Sequence, residues 1–495
     1  MKRLQLSVFI VFFAMTLIIV SGISSVDARI TEEWISIYKG PYGYDGAKGL
    51  AMDTTGNIYV TGDSGGTGGY LDFATAKYNN DGLQLWVARY NGPVSLNDEV
   101  NDIYVDSDGN VYVTGWNTVD LRSTNTDYTT IKYDTYGTEL WAATYSGSAN
   151  YNDQANAVTV DSLGNVYVTG YSTEFDGTDY STECTTIKYD CDGNQLWVAQ
   201  YHQKFLFYDV PKDIVVDASG NVYVTGATGT GCSDWDYLTI KYDNYGNQLW
   251  VATYDNFGFP WTDQSNDIFV VNSGNVYITG SSYGLPGGMD FATIKYSASG
   301  VELWVARYDG PDNLEDGAEA IAVDSSENVY VTGHCQTLLG YNDYCTIKYN
   351  NAGVQQWVAK YKGPMDGDDA AKAIAVDSSG YVYVTGNSQR DASDNYDYTT
   401  IQYDTDGNQQ WEIRYNGPTD AGDTVPDGNN ALVIDESISP PAVYITGTDS
   451  EENYATIKYT IGEEIPLTGR VAKYLIIFLI SIVFIQAHLF HLSIR

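Results

Sequence analysis

The sequence predicts an all-β fold, and three observations lead to that prediction. A Thr-Gly step recurs along the chain at intervals of 53 to 61 residues. Each interval holds four short apolar runs bounded by turn residues, and the two ends of the array carry complementary parts of one copy. The glycines of the step are Gly62, Gly115, Gly170, Gly226, Gly280, Gly333, Gly386 and Gly447. A fixed period of this length is typical of repeat architectures, and the eight copies predict a single β-propeller of eight four-stranded blades.

The copy Ala373–Tyr415 shows the four strands of a unit. They are predicted over Ala373–Val376, Val382–Gly386, Tyr398–Tyr403 and Gln410–Tyr415. Each run is rich in Val, Ile, Tyr and Thr, and clusters of Asp, Gly, Asn and Ser separate the runs. In the run Val111-Tyr112-Val113-Thr114 both faces are bulky, which is typical of a strand that is covered on both sides. Blades that are packed between two neighbours produce this pattern.

The ends of the array predict closure of the ring. The chain enters the repeats at Trp34–Tyr38, which matches only a fourth strand, and leaves at Thr456–Tyr459, which matches a third strand. Unpaired strand edges at both ends would be exposed to other chains. We therefore expect the N-terminal strand to complete the blade that Leu432–Tyr459 begins. The eight repeat-phase tryptophans, one in each fourth strand, are expected to pack between adjacent blades.

The repeated pattern W-x-x-x-Y, I-x-V-D-x-x-G-N-V-Y-V-T-G and D-Y-x-T-I-K-Y resembles the bacterial and archaeal β-propeller repeat family. The resemblance covers residues 31–461. It implies a propeller fold and a location outside the cytoplasm, and it implies no mechanism. The family is known for seven blades, whereas the count of copies here is eight.

The two ends of the chain differ in character from the repeats. Residues 1–28 are expected to be a secretory signal, because a basic start precedes an apolar core and the sequence Val26-Asp27-Ala28. The propeller then spans 29–461, a linker with a sorting-like motif 462–473, and an anchor with its tail 474–495. Ile465–Gly469 resembles a sortase sorting signal, with Ile where that family has Leu. The alternative is a plain transmembrane anchor, since Tyr474–Ile494 is long enough for one span.

The net charge of −39 limits the classes of partner. Nucleic acids and anionic lipids require clustered Lys and Arg, so neither is expected to bind. The acidity favours solubility and attraction of cations. An extracellular glycan or protein ligand, a cell-wall or membrane attachment through the C-terminal segment, and a monomeric propeller are the expectations that remain.

Five cysteines allow at most two disulfides in an exported chain. Cys335 and Cys345 flank one hairpin loop, and they are the favoured pair. Cys184 and Cys232 lie at the same end of adjacent blades and form an alternative pair. Cys191 lies in a turn at the opposite end and is expected to be free.

Strand direction divides the connections between two sides of the propeller. The short-turn side holds the first-to-second and third-to-fourth turns. The long-loop side holds the second-to-third loops and the blade-to-blade loops, and long loops on a rigid scaffold commonly bind ligands. Two acidic positions recur on the long-loop side. The first precedes each first strand: Asp45, Asp98, Asp153, Asp209, Asp263, Asp316, Asp369 and Asp427. The second opens each third strand: Asp72, Asp127, Glu183, Asp236, Asp290, Asp343, Asp397 and Asn453.

Two interpretations of the first acidic set stay open. The carboxylates are expected either to brace the loops by accepting backbone N–H bonds or to supply hard oxygen ligands to Ca²⁺ around the mouth of the ring. No copy contains a complete EF-hand loop. Because of the recurrent aspartates, Ca²⁺ is nevertheless the one cofactor that the sequence suggests.

Extra aromatic residues in the long loops are candidate ligand-binding residues, chiefly Trp116, Trp235 and Trp261. Rings among short polar side chains suit sugars or peptides. No catalytic residue is nominated, because only His202 and His334 lie in the repeats and no zinc, nucleophile-elbow or phosphate-loop pattern occurs. The leading hypothesis is a non-catalytic surface module for binding, adhesion or envelope structure. The alternative is an extracellular polysaccharide hydrolase or lyase that uses paired carboxylates.

Overall fold

The computed structural model describes residues 30–461 except 121–124, 176, 178, 203–207, 230–234, 257–261, 286, 392–394, 419–421 and 426–430. The chain divides into two compact units. One is Glu32–Thr460, which contains the repeats, and the other combines Met1–Thr31 with Ile461–Arg495. The predicted signal, linker and anchor lie outside the described residues. Among the described residues, no helix has the length and hydropathy needed to cross a bilayer.

In the described residues, thirty-two strands follow one another in repeated sets of four. The first strands are β2 (Asp45–Met52), β6 (Asp98–Val105), β10 (Asp153–Val160), β14 (Tyr208–Val216), β18 (Asp263–Val270), β22 (Asp316–Val323), β26 (Asp369–Val376) and β30 (Leu432–Asp435). The second strands are β3 (Ile58–Gly65), β7 (Val111–Thr118), β11 (Val166–Phe175), β15 (Val222–Gly229), β19 (Val276–Tyr283), β23 (Val329–Gln336), β27 (Val382–Gln389) and β31 (Ala442–Thr448).

The remaining strands complete the sets. The third strands are β4 (Leu71–Tyr78), β8 (Thr126–Tyr133), β12 (Tyr180–Tyr189), β16 (Trp235–Tyr242), β20 (Met289–Tyr296), β24 (Asn342–Tyr349), β28 (Tyr396–Tyr403) and β32 (Tyr454–Ile461). The fourth strands are β5 (Gln84–Tyr90), β9 (Glu139–Tyr145), β13 (Gln195–Tyr201), β17 (Gln248–Tyr254), β21 (Glu302–Tyr308), β25 (Gln355–Tyr361), β29 (Gln409–Tyr415) and β1 (Ile30–Tyr38). The prediction of an all-β protein made of four-stranded blades is confirmed.

We number the blades by their first strands, from blade 1 (β2–β5) to blade 8 (β30–β32 with β1). Six of them are separate four-stranded sheets, and in blade 8 the order is β1-β32-β31-β30. Blades 3 and 4 are joined into one eight-stranded sheet by a single parallel pairing of Thr182 with Tyr208. First strands contact one another in chain order, and β30 contacts both β26 and β2.

Turn chemistry on the short-turn side follows the sequence pattern. In the turn Asp106-Ser107-Asp108-Gly109, Asp106 Oδ1 accepts the backbone N–H groups of Asp108 and Asn110, both at 2.9 Å. The hydroxyl of Tyr112 donates to the other carboxylate oxygen of Asp106. Gly109 has a φ of 78°, a left-handed conformation that glycine adopts without steric cost. The Asp and Gly of these turns are therefore explained by local geometry.

A pair of donors on each blade joins it to the next, and we call this arrangement the carbonyl clamp. A third-strand lysine and the fourth-strand tryptophan of one blade donate to the same backbone carbonyl in the third-to-fourth turn of the following blade. In the first such contact, Lys77 Nζ and Trp86 Nε1 both lie 3.1 Å from the Thr135 oxygen. The same lysine lies 4.7 Å from the ring centre of Tyr59, a cation–π contact.

Seven carbonyl clamps occur among the described residues. The acceptors are Asn80, Thr135, Cys191, Asn244, Ala298, Asn351 and Thr405. The clamp on Asn80 joins blade 8 to blade 1, because its donors are Trp34 and Lys458. The repeat-phase tryptophans thus pack between blades, as predicted. Blade 7 differs, since Gln402 replaces the lysine and Trp411 Nε1 has no partner in the described part of the chain.

Each first strand from blade 1 to blade 7 contains a β-bulge, a feature that the sequence pattern did not predict. The residues skipped in the strand register are Lys48, Asn101, Asn156, Lys212, Asn266, Glu319 and Lys372. Three of these side chains bond to the bulge of the next blade, as in the contact of Asn101 Nδ2 with the Ala155 carbonyl at 2.7 Å. Lys372 Nζ lies 3.5 Å from Glu319 Oε1. The bulges therefore link successive first strands directly.

Candidate functional site

Six acids of the first set on the long-loop side are buried and accept backbone N–H groups: Asp45, Asp98, Asp153, Asp263, Asp316 and Asp369. Asp98 Oδ2 accepts the N–H of Gly92 at 2.6 Å, and its Oδ1 accepts the N–H of Thr118 at 3.1 Å. Asp153, Asp263, Asp316 and Asp369 each bond in the same way to one blade-to-blade loop and to the end of one second strand. Asp45 accepts from Gly40 and from the Ser64 hydroxyl. We call these bonds the aspartate braces.

Glycine at the loop end of a brace allows the close approach. A Cβ placed on Gly363 would lie 2.6 Å from Asp369 Oδ1, and one on Gly40 would lie 2.3 Å from Asp45 Oδ1. Asp209 is also fully buried, and the loop before it, residues 203–207, lies outside the described residues. The aspartate braces thus fix the long loops to the blades.

Burial raises the pKa of the braced carboxyl groups, because taking a carboxylate out of water disfavours its charged form. The pKa of Asp98 rises to about 7, and the pKa values of Asp153 and Asp316 rise to about 6. Bonds from the loop N–H groups act in the opposite direction in each case. Desolvation therefore outweighs hydrogen bonding at these positions.

The predicted eighth member of the set, Asp427, lies outside the described residues. Asp423 forms a brace in blade 8: it accepts the N–H groups of Gly417 and Ser450, both at 2.6 Å. Burial raises its pKa to about 6, as in the other braces. The sequence did contain the signal, because the glycine lies six residues before the Asp in Gly92–Asp98 and in Gly417–Asp423. The count of residues back from the apolar strand leads to Asp427 instead, because the connection between the loop glycine and the first strand is longer in blade 8.

Three acids of the second set pair with an arginine of the fourth strand. Arg89 Nη2 lies 3.1 Å from Asp72 Oδ2, Arg307 Nη2 lies 2.7 Å from Asp290 Oδ2, and Arg414 Nε lies 3.4 Å from Asp397 Oδ2. His202 Nδ1 lies 3.7 Å from Glu183 Oε1. Blade 4 has Thr253 where blade 5 has Arg307. This replacement leaves Asp236 without a fourth-strand arginine.

Two acidic triads bring the two sets together across neighbouring blades. Their carboxylate oxygens lie within 4.8 Å of one another in Asp236, Asp255 and Asp263, and in Asp290, Asp309 and Asp316. Arg307 neutralises part of the second triad. The residue corresponding to Asp255 is Lys39, Asn91, Ser146, His202, Lys362 or Asn416 in the other copies. Within the described part of the chain, clustered carboxylates of the kind that the calcium hypothesis requires therefore occur at these two positions.

Three further aspartates were missed by the sequence reasoning. Asp102, Asp213 and Asp267 each follow a first-strand bulge, and each accepts a backbone N–H from the next blade: Val158 at 2.7 Å, Ile268 at 3.2 Å and Ile321 at 2.7 Å. Burial raises the pKa of Asp102 to about 8. Asp267 Oδ1 also accepts from Ile268 N at 2.8 Å, so the carboxyl groups of Asp213 and Asp267 meet at one donor. Burial raises the pKa of both carboxyl groups.

The candidate tryptophans have different settings from those expected. Trp116 and Trp235 are strand residues in β7 and β16, not loop residues, and both are half-buried. Trp116 stands opposite Glu99 and Tyr128 in the sheet register. The ring centre of Trp235 lies 6.5 Å from that of Tyr208. Trp261 lies outside the described residues.

The cysteines divide into one bridge and two described free thiols. Cys335 and Cys345 are joined by a disulfide, with their Cα atoms 5.6 Å apart. Cys184 is buried and free, which argues against the alternative pair with Cys232, a residue outside the described part. Cys191 is exposed and free, as expected.

Cavities occur on both sides of the propeller. One of about 440 Å³ lies on the short-turn side between blades 2 and 3, where Tyr112, Lys132 and Cys191 are among its lining residues. A cavity of about 430 Å³ repeats this arrangement between blades 6 and 7. On the long-loop side, a cavity of about 270 Å³ is lined by Asn342, Asp368, Ala370, Asn387, Tyr396 and Thr424. The short-turn cavities follow the repeat, since the Tyr and Lys in them belong to the carbonyl clamps.

Comparison with known proteins supports a β-propeller repeat family. The family model of the beta-propeller repeat matches residues 86–121, 143–176 and 366–391. An uncharacterised WD repeat-containing protein of Acanthamoeba polyphaga mimivirus is 27% identical over 47% of this chain. The match spans 18% of the length of that relative.

Similar solved structures include proteins of unrelated activity. A polysaccharide lyase described as an ulvan lyase is similar at a TM-score of 0.41 and 10% identity, over 86% of this chain and 96% of the lyase. Drosophila Plexin A, solved in complex with Semaphorin 1b, is similar at a TM-score of 0.41 and 11% identity, over 88% of each chain. At this level of similarity, neither structure carries an argument about the function of this chain.

Proposed function

We propose that the chain is a non-catalytic cell-surface module that binds an extracellular ligand on its long-loop side. The observation that supports this proposal best is the aspartate brace. Acids of the first set, which a hydrolase or lyase could draw on, are buried and accept backbone N–H groups, and three acids of the second set pair with arginines. Loops fixed in this way lose little conformational entropy when a ligand binds. Recurrent carboxylates on this side are therefore assigned to rigidity rather than to chemistry.

The scaffold of this module is proposed to be one closed ring of eight blades. Pairing of β1 with β32 supports the proposal, as do the contacts of β30 with β26 and β2. The carbonyl clamp on Asn80 and the hydrogen bond from Tyr454 to the Ala74 carbonyl at 3.2 Å also join blade 8 to blade 1. In a closed ring the edges that remain are those of single blades, such as the short fourth strands, so few edges are open to association with other chains. We propose that the propeller is monomeric on this ground.

The location of the module is proposed from the sequence. Export would follow from the segment 1–28, and attachment to the membrane or the cell wall would follow from the segment 462–495. The net charge of −39 favours a glycan or protein ligand over nucleic acid. Ca²⁺ remains the proposed cation, with Asp236, Asp255 and Asp263 as its best-matched donors because no fourth-strand arginine stands beside them.

One observation favours the alternative, a carboxylate-dependent polysaccharide hydrolase or lyase. Asp213 and Asp267 meet at the N–H of Ile268, and two adjacent carboxyl groups with raised pKa values resemble an acid–base pair. Both groups belong to first strands, where Asp267 is buried and Asp213 half-buried, and both accept backbone N–H groups. Those bonds favour a structural role for the pair.

A combined binding and turnover assay tests the proposal. The full-length chain is incubated with panels of extracellular glycans and proteins, and both retention and product release are measured. We expect retention of a ligand with no release of reducing ends or unsaturated uronates. Release that is abolished by Asp213→Asn or Asp267→Asn, in variants that melt like the parent, would replace the binding module with the enzyme.

A further inference from the structure

The second-to-third hairpin of blade 3 breaks the repeat. Its strands β11 and β12 are ten residues each, whereas the corresponding strands in blades 1, 2 and 4–7 are eight residues each. The additional antiparallel pairs are Glu174 with Ser181 and Phe175 with Tyr180. The hairpin therefore carries its end further out on the long-loop side than its counterparts do.

Three exposed aromatic rings meet at the end of this hairpin, and we call them the aromatic patch. The ring centre of Tyr180 lies 4.8 Å from that of Phe175 and 4.9 Å from that of Tyr151. The ring planes are inclined by 36° and 30°. Tyr151, Phe175 and Tyr180 are 45%, 46% and 49% exposed. Tyr180 is thus the central ring of a shallow apolar surface in water.

The patch is held together from behind by polar contacts. Glu174 precedes Phe175, so its side chain points to the opposite face of the strand. Its Oε1 accepts the Ser148 N–H at 3.2 Å, and its other oxygen accepts the Ser148 hydroxyl. Gln200 Nε2 lies 3.3 Å from Glu174 Oε1. Because Ser148 and Tyr151 belong to the same blade-to-blade loop, Glu174 fixes that loop and its ring beside the hairpin.

A second pair of rings lies on blade 4, Tyr208 in β14 and Trp235 in β16. The single pairing of Thr182 with Tyr208 sets β14 beside β12, two residues from Tyr180. Tyr208 is 39% exposed, and its ring contacts that of Trp235, one of the ligand-binding candidates from the sequence. The same pairing joins blades 3 and 4 into one sheet. Aromatic surface therefore continues from blade 3 toward blade 4.

We propose that the aromatic patch is a binding site for a neutral glycan, with sugar rings stacked on Tyr151, Phe175 and Tyr180. The C–H face of a pyranose packs on the electron-rich face of an aromatic ring. The hydroxyl groups of Tyr151 and Tyr180 can each donate and accept a hydrogen bond to sugar hydroxyls. Uronate-rich and sulfated glycans are disfavoured by the net charge of −39 and by Glu174 behind the patch. The inference rests on the proposed function and specifies its ligand.

Binding to immobilised polysaccharides tests the inference. The full-length chain is applied to neutral glucomannan, xyloglucan and chitin, and to acidic alginate and heparin. We expect at least one neutral polysaccharide to retain it and the acidic ones not to. Tyr180→Ala removes the ring that contacts both others, and it should weaken retention about tenfold, the equivalent of one ring-stacking contact of about 1.4 kcal/mol. Tyr180→Phe should keep most of the affinity.

Tyr136→Ala provides the matched control, because Tyr136 is 80% exposed in a third-to-fourth turn on the short-turn side. It should leave both retention and melting temperature unchanged. An unchanged affinity of Tyr180→Ala, or preference for an acidic glycan, would overturn the inference. Retention of a protein but of no neutral glycan would overturn it and leave the proposed binding function standing. Polysaccharide turnover would instead remove the proposed function itself.

Discussion

The two sides of the propeller use repetition differently. On the short-turn side, turn, lysine and tryptophan recur almost unchanged, and even the cavities repeat with them. On the long-loop side the two acidic sets recur, while the other side chains vary from blade to blade. The aromatic patch consists of such variable residues, and each acidic triad adds one of them, Asp255 or Asp309, to two recurrent acids. We infer that repeated residues hold the blades together and that the unrepeated residues of the long-loop side make contact with a ligand.

The largest effect is expected from removing one brace. Asp98→Ala would leave the N–H groups of Gly92 and Thr118 buried without an acceptor, at a cost of about 2–4 kcal/mol in the free energy of unfolding. Urea denaturation followed by tryptophan fluorescence measures it. Asp81→Ala, in an exposed turn, is the control. A loss below about 0.5 kcal/mol for Asp98→Ala would show that the brace does not stabilise the long loops.

Stability should fall as pH rises from 5 to 9. The pKa values of Asp63 and Asp98 rise to about 7, and that of Asp102 to about 8, mainly through burial. A raised folded-state pKa means that the group binds a proton more tightly in the folded chain than in the unfolded chain. The stability that each such carboxyl group contributes is fully present below about pH 4 and is lost as pH rises through its folded-state pKa. Melting temperatures at constant ionic strength measure this. Asp102→Asn should flatten the decline above pH 7, and a melting temperature that increases from pH 5 to 8 would contradict the assignment.

A smaller difference in unfolding free energy is expected between Trp141, which donates to a carbonyl clamp, and Trp411, which has no such acceptor in the described part of the chain. Trp141→Phe removes the donor to the Cys191 carbonyl, whereas Trp411→Phe removes a donor that has no partner among the described residues. We expect Trp141→Phe to cost about 1 kcal/mol more in unfolding free energy than Trp411→Phe. Equal losses for the two variants would mean that the tryptophans act through packing alone.

The smallest effect expected is that of calcium. Millimolar Ca²⁺ should raise the melting temperature more than Na⁺ at equal ionic strength, because an ion bound only by the folded chain stabilises it. Asp255→Asn should reduce the difference, and Asp309→Asn should not, because Arg307 already pairs with Asp290 in that triad. Identical melting in the two salts would assign these carboxylates to structure or to salt tolerance.

The sequence predicted the parts of the fold that are local and repeated. The strand runs, the Asp-Gly turns and the packing of Trp34 and Trp86 between blades all follow from alternation and turn chemistry within one copy. The bulges were not predicted, because a single extra residue such as Asn101 leaves the apolar pattern of its strand unchanged. Asp102, Asp213 and Asp267 were missed for the same reason, since their burial depends on bulge register.

The candidate site was less predictable because its geometry is set between segments distant in sequence. For blade 8 the sequence pattern pointed to Asp427 rather than Asp423, because the position was counted back from the first strand and not forward from the loop glycine. Trp116 was assigned to a loop although its strand continues through Thr118. Tyr180 was not predicted as a candidate residue, because its contacts with Tyr151 and Phe175 depend on a hairpin extension that becomes visible only in the strand pairing.

The central claim is most directly tested by measuring melting temperature and glycan affinity side by side for Asp98→Ala and Tyr180→Ala. Because the two kinds of residue have different roles, Asp98→Ala should lose stability and Tyr180→Ala should lose glycan affinity. Asp98→Ala should melt well below the parent and, at a temperature where it is folded, bind neutral glycan within about twofold of it, a difference below about 0.5 kcal/mol. Tyr180→Ala should melt with the parent and bind about tenfold more weakly. The claim is contradicted if Tyr180→Ala loses stability and keeps its affinity, or if each variant loses both.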